Sequence, residues 1–159
     1  MGSSALTGLL VAIAALAAAS VFGLWWRRRD GRVVARPPAE LAAGTEPGTA
    51  DAEREALARL GVTAETPVTL VQFSSAFCAP CRVARRLCAD LADNRDDVTH
   101  LEVDAESHLD EVRALGVWRT PTVLVVDAGG RVAFRLTGAP TRAGLVAAVE
   151  SLSAPAVGR

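Results

Sequence analysis

Two cysteines, Cys78 and Cys81, stand two residues apart and could carry out reversible dithiol–disulfide chemistry. They follow the apolar run Val68–Phe73 and open the segment Arg82–Leu91, which has the pattern of a helix. A thiol at a helix N-terminus has a lowered pKa, because unsatisfied backbone N–H groups and the helix dipole stabilise the thiolate. One cysteine can then attack a disulfide, and the other can resolve the mixed disulfide that results. The pair therefore indicates electron transfer through sulfur.

The third cysteine and the two histidines do not extend this pair into a metal site. Cys88 lies about two helical turns after Cys81, and we interpret it as a buried free thiol, with a regulatory disulfide as the alternative. The spacing of Cys88, His100 and His108 does not resemble the four converging ligands of a structural zinc site. We therefore expect neither a metal nor a cofactor.

The chain around the cysteines alternates between helical and strand patterns. The predicted elements are helix Asp51–Leu60, strand Pro67–Phe73, helix Arg82–Leu91, strand Val98–Val103, helix Leu109–Leu115, strands Pro121–Val126 and Arg131–Thr137, and helix Thr141–Leu152. Strands separated by helices imply parallel pairing, whereas the Gly-rich turn Asp127–Gly130 makes the last two strands an antiparallel hairpin. The pattern predicts an α/β fold, with a mixed central sheet and helices on both faces.

A separate apolar segment near the N-terminus, Ser4–Trp26, has no charged residue and is long enough to cross a bilayer as one helix. Trp25 and Trp26 end it, where indole rings favour the membrane interface. A cleavable signal peptide is the weaker alternative, because Met1–Leu10 lacks the positive charge that should precede the apolar core. The segment is therefore predicted to be a transmembrane anchor.

Arginines follow this anchor directly, at Arg27–Arg29, Arg32 and Arg36. Basic residues beside a spanning helix tend to stay cytoplasmic, so we expect the soluble domain in the cytoplasm, with an extracytoplasmic domain as the alternative. Residues 27–50 form a basic flank and a Pro- and Gly-rich linker, in which Val33-Val34 could add a short strand. A domain at 51–152 and a flexible tail at 153–159 complete the predicted organisation.

The composition sets further limits. A chain of 159 residues has room for one domain and an appendage, and its formal net charge of −1 gives no electrostatic case for a nucleic-acid partner. Its 17 basic residues are all arginine, and Ala and Val are frequent, which is typical of a GC-rich bacterial genome. Three cysteines are too few for a disulfide-stapled scaffold.

Three landmarks give the domain a resemblance to the thioredoxin family. The segment Val71–Cys81 resembles the strand that leads into the family's C-x-x-C motif, and Thr120-Pro121-Thr122 resembles the cis-proline loop that faces the motif. Gly138, after the hairpin, is similar to the glycine that flanks the family's substrate groove. The resemblance covers Asp51–Leu152 and implies the thioredoxin fold, preceded here by a transmembrane helix.

The same resemblance implies roles for individual residues. Cys78 would be the exposed nucleophile and Cys81 the shielded resolving thiol. Pro80 would restrict the turn between them. A cis bond before Pro121 would place the backbone of Thr120 beside the sulfurs, where it can pair with a bound peptide.

The chain departs from the family's pattern beside the motif. Phe77 and Ala79 stand where thioredoxins usually have tryptophan and glycine. Gln72 stands where the family typically buries an aspartate that takes a proton from the resolving thiol, which an amide cannot do near neutral pH. His100 or water could replace that acid in a proton relay, although a partly exposed strand histidine without such a role is the simpler interpretation. The departures put fast general reductase activity in doubt.

We therefore expect a membrane-anchored thiol–disulfide oxidoreductase that reduces disulfides in partner proteins and receives electrons from a separate reductase. Extracytoplasmic disulfide exchange or a role in cytochrome maturation is one alternative. A thioredoxin-like module that binds a client at the membrane without turnover is another.

Overall fold

The computed structural model describes residues 3–29, 32–35 and 47–153. The chain divides into an N-terminal unit, 1–30, and a C-terminal unit, 31–159. The described elements in chain order are α1 Ser3–Arg29, β1 Arg32–Ala35, α2 Pro47–Arg59, β2 Val68–Ser74, α3 Ala79–Asp93, β3 Val98–Asp104, α4 Leu109–Ala114, β4 Thr122–Asp127, β5 Val132–Thr137 and α5 Arg142–Ser153.

The N-terminal unit is a single helix, α1, of 27 residues. Within it, Thr7–Trp25 has a mean hydropathy of 2.2 and is long and apolar enough to cross a membrane. At a rise of about 1.5 Å per residue, these 19 residues extend about 29 Å, which is close to the thickness of a bilayer's hydrocarbon core. The helix is thus a candidate membrane span or signal sequence.

The C-terminal unit is built on one mixed sheet with strand order β1-β5-β4-β2-β3. Strands β2 and β3 are parallel, as expected for strands joined by a helix, and the remaining neighbours are antiparallel. β2 is therefore a central strand, and it carries the chain straight into the cysteine motif at one end of the sheet. The predicted mixed sheet is confirmed.

Helices cover both faces of this sheet. On one face, Val68 and Leu70 of β2 pack with the inward side chains of α3 and α5, including Leu91 and Leu145. On the other face, the alternate β2 residue Phe73 belongs to a second cluster, with residues of α2 and of the segment that follows α4. The alternation follows from the two-residue period of a strand. Gln72 lies on the same face of the strand as Leu70 and therefore faces α3.

The sheet extends into the segment predicted to be a linker. Arg32–Ala35 forms an edge strand antiparallel to β5, so the short strand considered at Val33-Val34 is present and the tether prediction was wrong there. Helix α2 begins at Pro47, four residues before the predicted start at Asp51, because proline fits the first turn of a helix, where an N–H group has no partner. Residues 36–46 and 154–159 lie outside the described residues.

Two local predictions about α5 and the hairpin hold. Thr141 accepts a hydrogen bond at its Oγ1 from the Gly144 N–H at 3.1 Å, as an N-cap residue does. In the β4–β5 turn, Asp127 Oδ1 accepts from the N–H groups of Gly129 and Arg131. Gly130 has a φ of 70°, a conformation that glycine adopts without steric cost.

Candidate active site

Cys78 and Cys81 form a disulfide at the N-terminus of α3, with their Cα atoms 5.2 Å apart. Cys78 is the N-cap residue and has an extended backbone conformation, while Pro80 occupies the first turn of the helix. The Cys78 Sγ accepts a hydrogen bond from the Cys81 N–H at 3.1 Å. An anion at this sulfur is stabilised by that N–H and by the helix dipole.

The two sulfur-bearing residues differ in their access to solvent. Cys78 is partly exposed, and its neighbours Phe77 and Ala79 are exposed, whereas Cys81 is only 3% exposed. The first cysteine is thus open to a partner and the second is covered. This asymmetry suits a division of labour in which one thiol attacks and the other resolves.

The loop before β4 contacts the segment that leads from β2 into the motif. The Thr120–Pro121 peptide bond is cis, and the hydroxyl oxygens of Thr120 and Ser75 are 3.1 Å apart. On its other side, the Pro121 carbonyl oxygen accepts the Gly138 N–H at 2.8 Å. Gly138 has a φ of 85°, which a residue with a side chain rarely adopts. Three of the six residues predicted to support the motif or line a substrate groove, Thr120, Pro121 and Gly138, are therefore adjacent; the other three, Phe77, Ala79 and Pro80, lie in the motif segment itself.

A fully buried amide, that of Gln72, lies beneath α3. Its Nε2 is 2.7 Å from the Ser74 Oγ, 3.1 Å from the Cys81 carbonyl oxygen and 3.4 Å from Glu102 Oε1. The carbonyl and the carboxylate can only accept, so the nitrogen of the amide must face them. Gln72 thereby connects the backbone of Cys81 to the carboxylate of Glu102.

The opposite end of this amide meets His100. His100 Nε2 is 3.3 Å from Gln72 Oε1, an atom that can only accept, so this imidazole nitrogen carries the hydrogen and donates it. Burial lowers the pKa of His100, which keeps the ring neutral near pH 7. The nitrogen that faces the site therefore has no lone pair for a thiol proton.

Glu102 is the charged member of the cluster. Arg85 of α3 binds it through two nitrogens, Nη2 at 2.7 Å from Oε1 and Nε at 2.5 Å from Oε2. Partial burial acts to raise the pKa of Glu102, but the hydrogen bonds from Arg85 and Ser74 outweigh burial and hold the pKa below its usual value. The carboxyl group is therefore ionised near pH 7.

The carboxylate of Glu102 also borders open space. A cavity of about 380 Å³ lies at this end of the sheet, lined by Ser74, Ser75, Ala76, Arg85, Glu102 and Asp104. Glu102 retains 26% of its side-chain exposure, in contrast to the fully buried Gln72. Solvent can thus reach the carboxylate from the side of the loop that precedes Cys78.

Cys88 is a buried free cysteine on the inward face of α3, as predicted. Burial raises the pKa of its thiol to about 12, with a smaller contribution from the negative charge of Glu102. The thiol is therefore protonated and inert near neutral pH. No cluster of three or more His, Cys, Asp or Glu side chains suited to a metal ion occurs among the residues that the structure describes.

Two exposed aromatic side chains lie in the segments that carry the C-x-x-C motif and the cis-proline. Phe77 directly precedes Cys78 and is 100% exposed, and Trp118 lies two residues before Thr120 and is 90% exposed. A large apolar side chain that stays in water next to a reactive group is typical of a surface that contacts a partner.

The family model for thioredoxin matches residues 56–151, more than half of the chain. The chain belongs to the thioredoxin family. The match spans α2 to α5, so the disulfide, the cis-proline loop and Gly138 all lie within it.

Solved thioredoxins share the fold of this domain. A point-mutant thioredoxin from Halobacterium salinarum NRC-1 is 23% identical, with a TM-score of 0.56 over 60% of this chain and 82% of that one. Thioredoxin f2 from Chlamydomonas reinhardtii is 22% identical, with a TM-score of 0.51 over 57% of this chain and 82% of that one. No curated protein sequence matches the chain.

A thioredoxin domain with its C-x-x-C cysteines at disulfide distance supports thiol–disulfide oxidoreductase chemistry. The resemblance already pointed to Cys78, Cys81, Pro121 and Gly138; the structure joins the first two in a disulfide and the last two by a backbone hydrogen bond. Glu102 and Trp118 were not singled out from the sequence. The available signals were the i, i+2 spacing of His100 and Glu102 on one face of a strand, and a tryptophan directly upstream of Thr-Pro-Thr.

Proposed function

We propose that the protein is a membrane-anchored disulfide reductase in which Cys78 attacks a disulfide of a partner protein and Cys81 resolves the mixed disulfide. The observation that carries the proposal is the hydrogen bond from the Cys81 N–H to the Cys78 Sγ at the N-terminus of α3. It stabilises the thiolate of the partly exposed sulfur and leaves the buried one as the second nucleophile.

The proposed reaction proceeds in two exchanges. The Cys78 thiolate forms a bond to one sulfur of the client disulfide, and the other client sulfur leaves as a thiolate. Cys81 then loses its proton and bonds to Cys78, and the second client sulfur leaves with the electron pair of the broken S–S bond. The client is reduced by two electrons, and the domain returns to the disulfide form until a dithiol reductant reduces it.

The region around the disulfide supports a peptide client. The backbone of Thr120, before the cis-proline, can pair with an extended segment as a neighbouring strand would. Phe77 and Trp118 offer apolar area on either loop. We infer that the preferred clients carry an apolar side chain close to the disulfide-bonded cysteine.

The direction and the place of the reaction rest on the N-terminal segment. A span at Ser4–Trp26 followed by Arg27–Arg29 favours a domain on the cytoplasmic side, where thiols are kept reduced. Reduction of client disulfides is then the favoured direction. In an extracytoplasmic domain, the same two cysteines would serve disulfide exchange on exported proteins.

Reduction of insulin by dithiothreitol tests the proposed chemistry, with the full chain kept in a mild detergent. We expect the protein to accelerate precipitation of the insulin chains, and Cys78→Ser or Cys81→Ser to abolish this effect. Cys88→Ala is the matched control, because its thiol is buried and does not ionise. A flat assay with the unmodified protein would favour a module that binds without turnover.

A further inference from the structure

We propose that Glu102, rather than His100 or Gln72, accepts the proton that Cys81 gives up when it resolves the mixed disulfide; this inference rests on the proposed reductase function. The fully buried polar side chain that contacts the backbone of Cys81 is that of Gln72. An amide has no basic atom near neutral pH, so the proton needs another acceptor.

The contacts of the Gln72 amide indicate that the acceptor lies on the side of its nitrogen atom. Its amide nitrogen lies between the Cys81 carbonyl oxygen, at 3.1 Å, and Glu102 Oε1, at 3.4 Å. Its oxygen accepts a hydrogen bond from His100 Nε2, which carries the single N–H of the neutral imidazole. Among the side chains that hydrogen-bond to this amide, Glu102 thus provides the ionised oxygen.

The surroundings of Glu102 suit a group that takes up a proton and releases it. It borders the cavity of about 380 Å³, so a proton that it accepts can pass on to solvent. The charged and titratable groups around it are Arg85 and Cys88 on α3, and His100 and Asp104 on β3. Only Arg85 pairs with it directly among these, and the Ser74 hydroxyl donates to it from β2.

The resolving step moves one proton from Cys81 and exchanges one S–S bond for another. The Cys81 S–H bond breaks, and its proton goes to a Glu102 oxygen. The Cys81 sulfur bonds to Cys78, the bond between Cys78 and the client sulfur breaks, and the client leaves as a thiolate. The carboxylate is restored when Glu102 passes this proton to the departing thiolate, or releases it to solvent while solvent protonates the thiolate.

Ellman's reagent separates this step from the first attack in a single turnover. The reduced full chain in detergent releases one coloured thiolate when Cys78 attacks the reagent, and a second when Cys81 displaces the remaining half from Cys78. Stopped-flow absorbance resolves the two phases. We expect Glu102→Gln to leave the first phase unchanged and to slow the second by about tenfold or more at pH 7, since a positioned general base typically contributes at least that much.

Two further variants distinguish a proton acceptor from a structural or purely electrostatic group. Glu106→Gln is the matched control, an exposed glutamate in the turn that follows β3. Arg85→Gln retains the carboxyl group of Glu102 but raises its pKa. The decline in the rate of the second phase at low pH should therefore move to higher pH. Glu102→Gln should abolish this decline in the rate of the second phase at low pH.

Each outcome bears on a different claim. If the second phase in Glu102→Gln is as fast as in the unmodified chain, the assignment is overturned. If it is faster, Glu102 acts only through its negative charge, which disfavours a thiolate at Cys81, and the assignment is again overturned. Loss of both phases in Glu102→Gln would indicate misfolding, and the pH shift in Arg85→Gln then decides. Absence of both phases in the unmodified protein would refute the proposed function itself.

Discussion

At the scale of single residues, the three cysteines on or next to α3 differ in hydrogen bonding and in burial. Cys78 caps α3 and receives a backbone N–H, which favours its thiolate. Cys81, one turn further, is covered, and Cys88 is held protonated by burial. The proposed division of roles among the three sulfurs therefore rests on their positions along the helix.

Trp118 provides a test of client recognition at this scale. Because it is 90% exposed beside the cis-proline loop, Trp118→Ala should lower kcat/KM for insulin by about three- to tenfold, as expected for loss of one aromatic contact worth about 1 kcal/mol. The rate with the small disulfide of Ellman's reagent should not change. Val34→Ala, at an exposed apolar residue of the edge strand β1, is the control. An equal loss for both substrates would argue against a role in client binding.

Only some of the site residues could be predicted from the sequence. The cysteine pair, Thr-Pro-Thr and Gly138 were predictable, because each is a short motif with a local backbone requirement. The partners of Gln72 were not, because Cys81, His100 and Glu102 reach it from two other elements, and their distances depend on how α3 packs on the sheet. The exposure of Trp118 likewise depends on what the fold leaves uncovered.

At the scale of elements, β2 and α3 position the site, and the opposite end of α3 is fixed to the rest of the domain. Asp97, between α3 and β3, accepts hydrogen bonds from Arg95 Nε at 2.9 Å and Nη2 at 2.8 Å, and from the Ser153 Oγ of α5 at 2.6 Å. One carboxylate thus connects the loop between α3 and β3 to the C-terminal end of α5. The hydrogen bonds from Arg95, and then that from Ser153, hold the pKa of Asp97 well below its usual range.

This carboxylate predicts a pH dependence of stability. The pKa of Asp97 is lower in the folded than in the unfolded state, so its contribution to the free energy of unfolding is present above about pH 4 and is lost as the pH falls through the folded value. Asp97→Asn should therefore lower the free energy of unfolding at pH 7 and flatten its decline below about pH 4. Urea unfolding over a pH series measures both effects. Asp96→Asn, at the exposed neighbouring carboxylate, is the control; parallel curves for Asp97→Asn and the unmodified protein would contradict the assignment.

Element boundaries were less predictable than element types. The helix and strand periods indicated each predicted element between α2 and α5. The edge strand β1 was left open because four residues, Arg32–Ala35, carry too short a pattern to distinguish a strand from a linker. Its pairing with β5 is a contact between distant parts of the chain, which a local pattern does not contain.

At the scale of the whole molecule, the chain combines a helix with the length and hydropathy of a membrane span and a domain of the thioredoxin family. The arginines that follow the apolar segment favour a cytoplasmic domain by the positive-inside rule. Topology sets the redox compartment of Cys78, and hence the direction in which the same two cysteines act.

Labelling of Cys78 by a membrane-impermeant maleimide tests this topology. In cells that express the full chain, we expect labelling only after lysis, and the protein should stay in the membrane fraction at high pH. Cys78→Ser shows which signal belongs to Cys78. Labelling in intact cells would place the domain outside the cytoplasm and would make disulfide exchange on exported proteins the better account.

The most direct test of the central claim is the capture of mixed disulfides by the Cys81→Ser variant of the full chain. With the resolving thiol removed, Cys78 should remain bonded to client proteins as species that disappear on reduction, and mass spectrometry should find every linkage at Cys78. The Cys78→Ser variant should capture none, because Cys81 is buried. Equal capture by both variants, or by neither, would contradict an attacking Cys78 and a resolving Cys81.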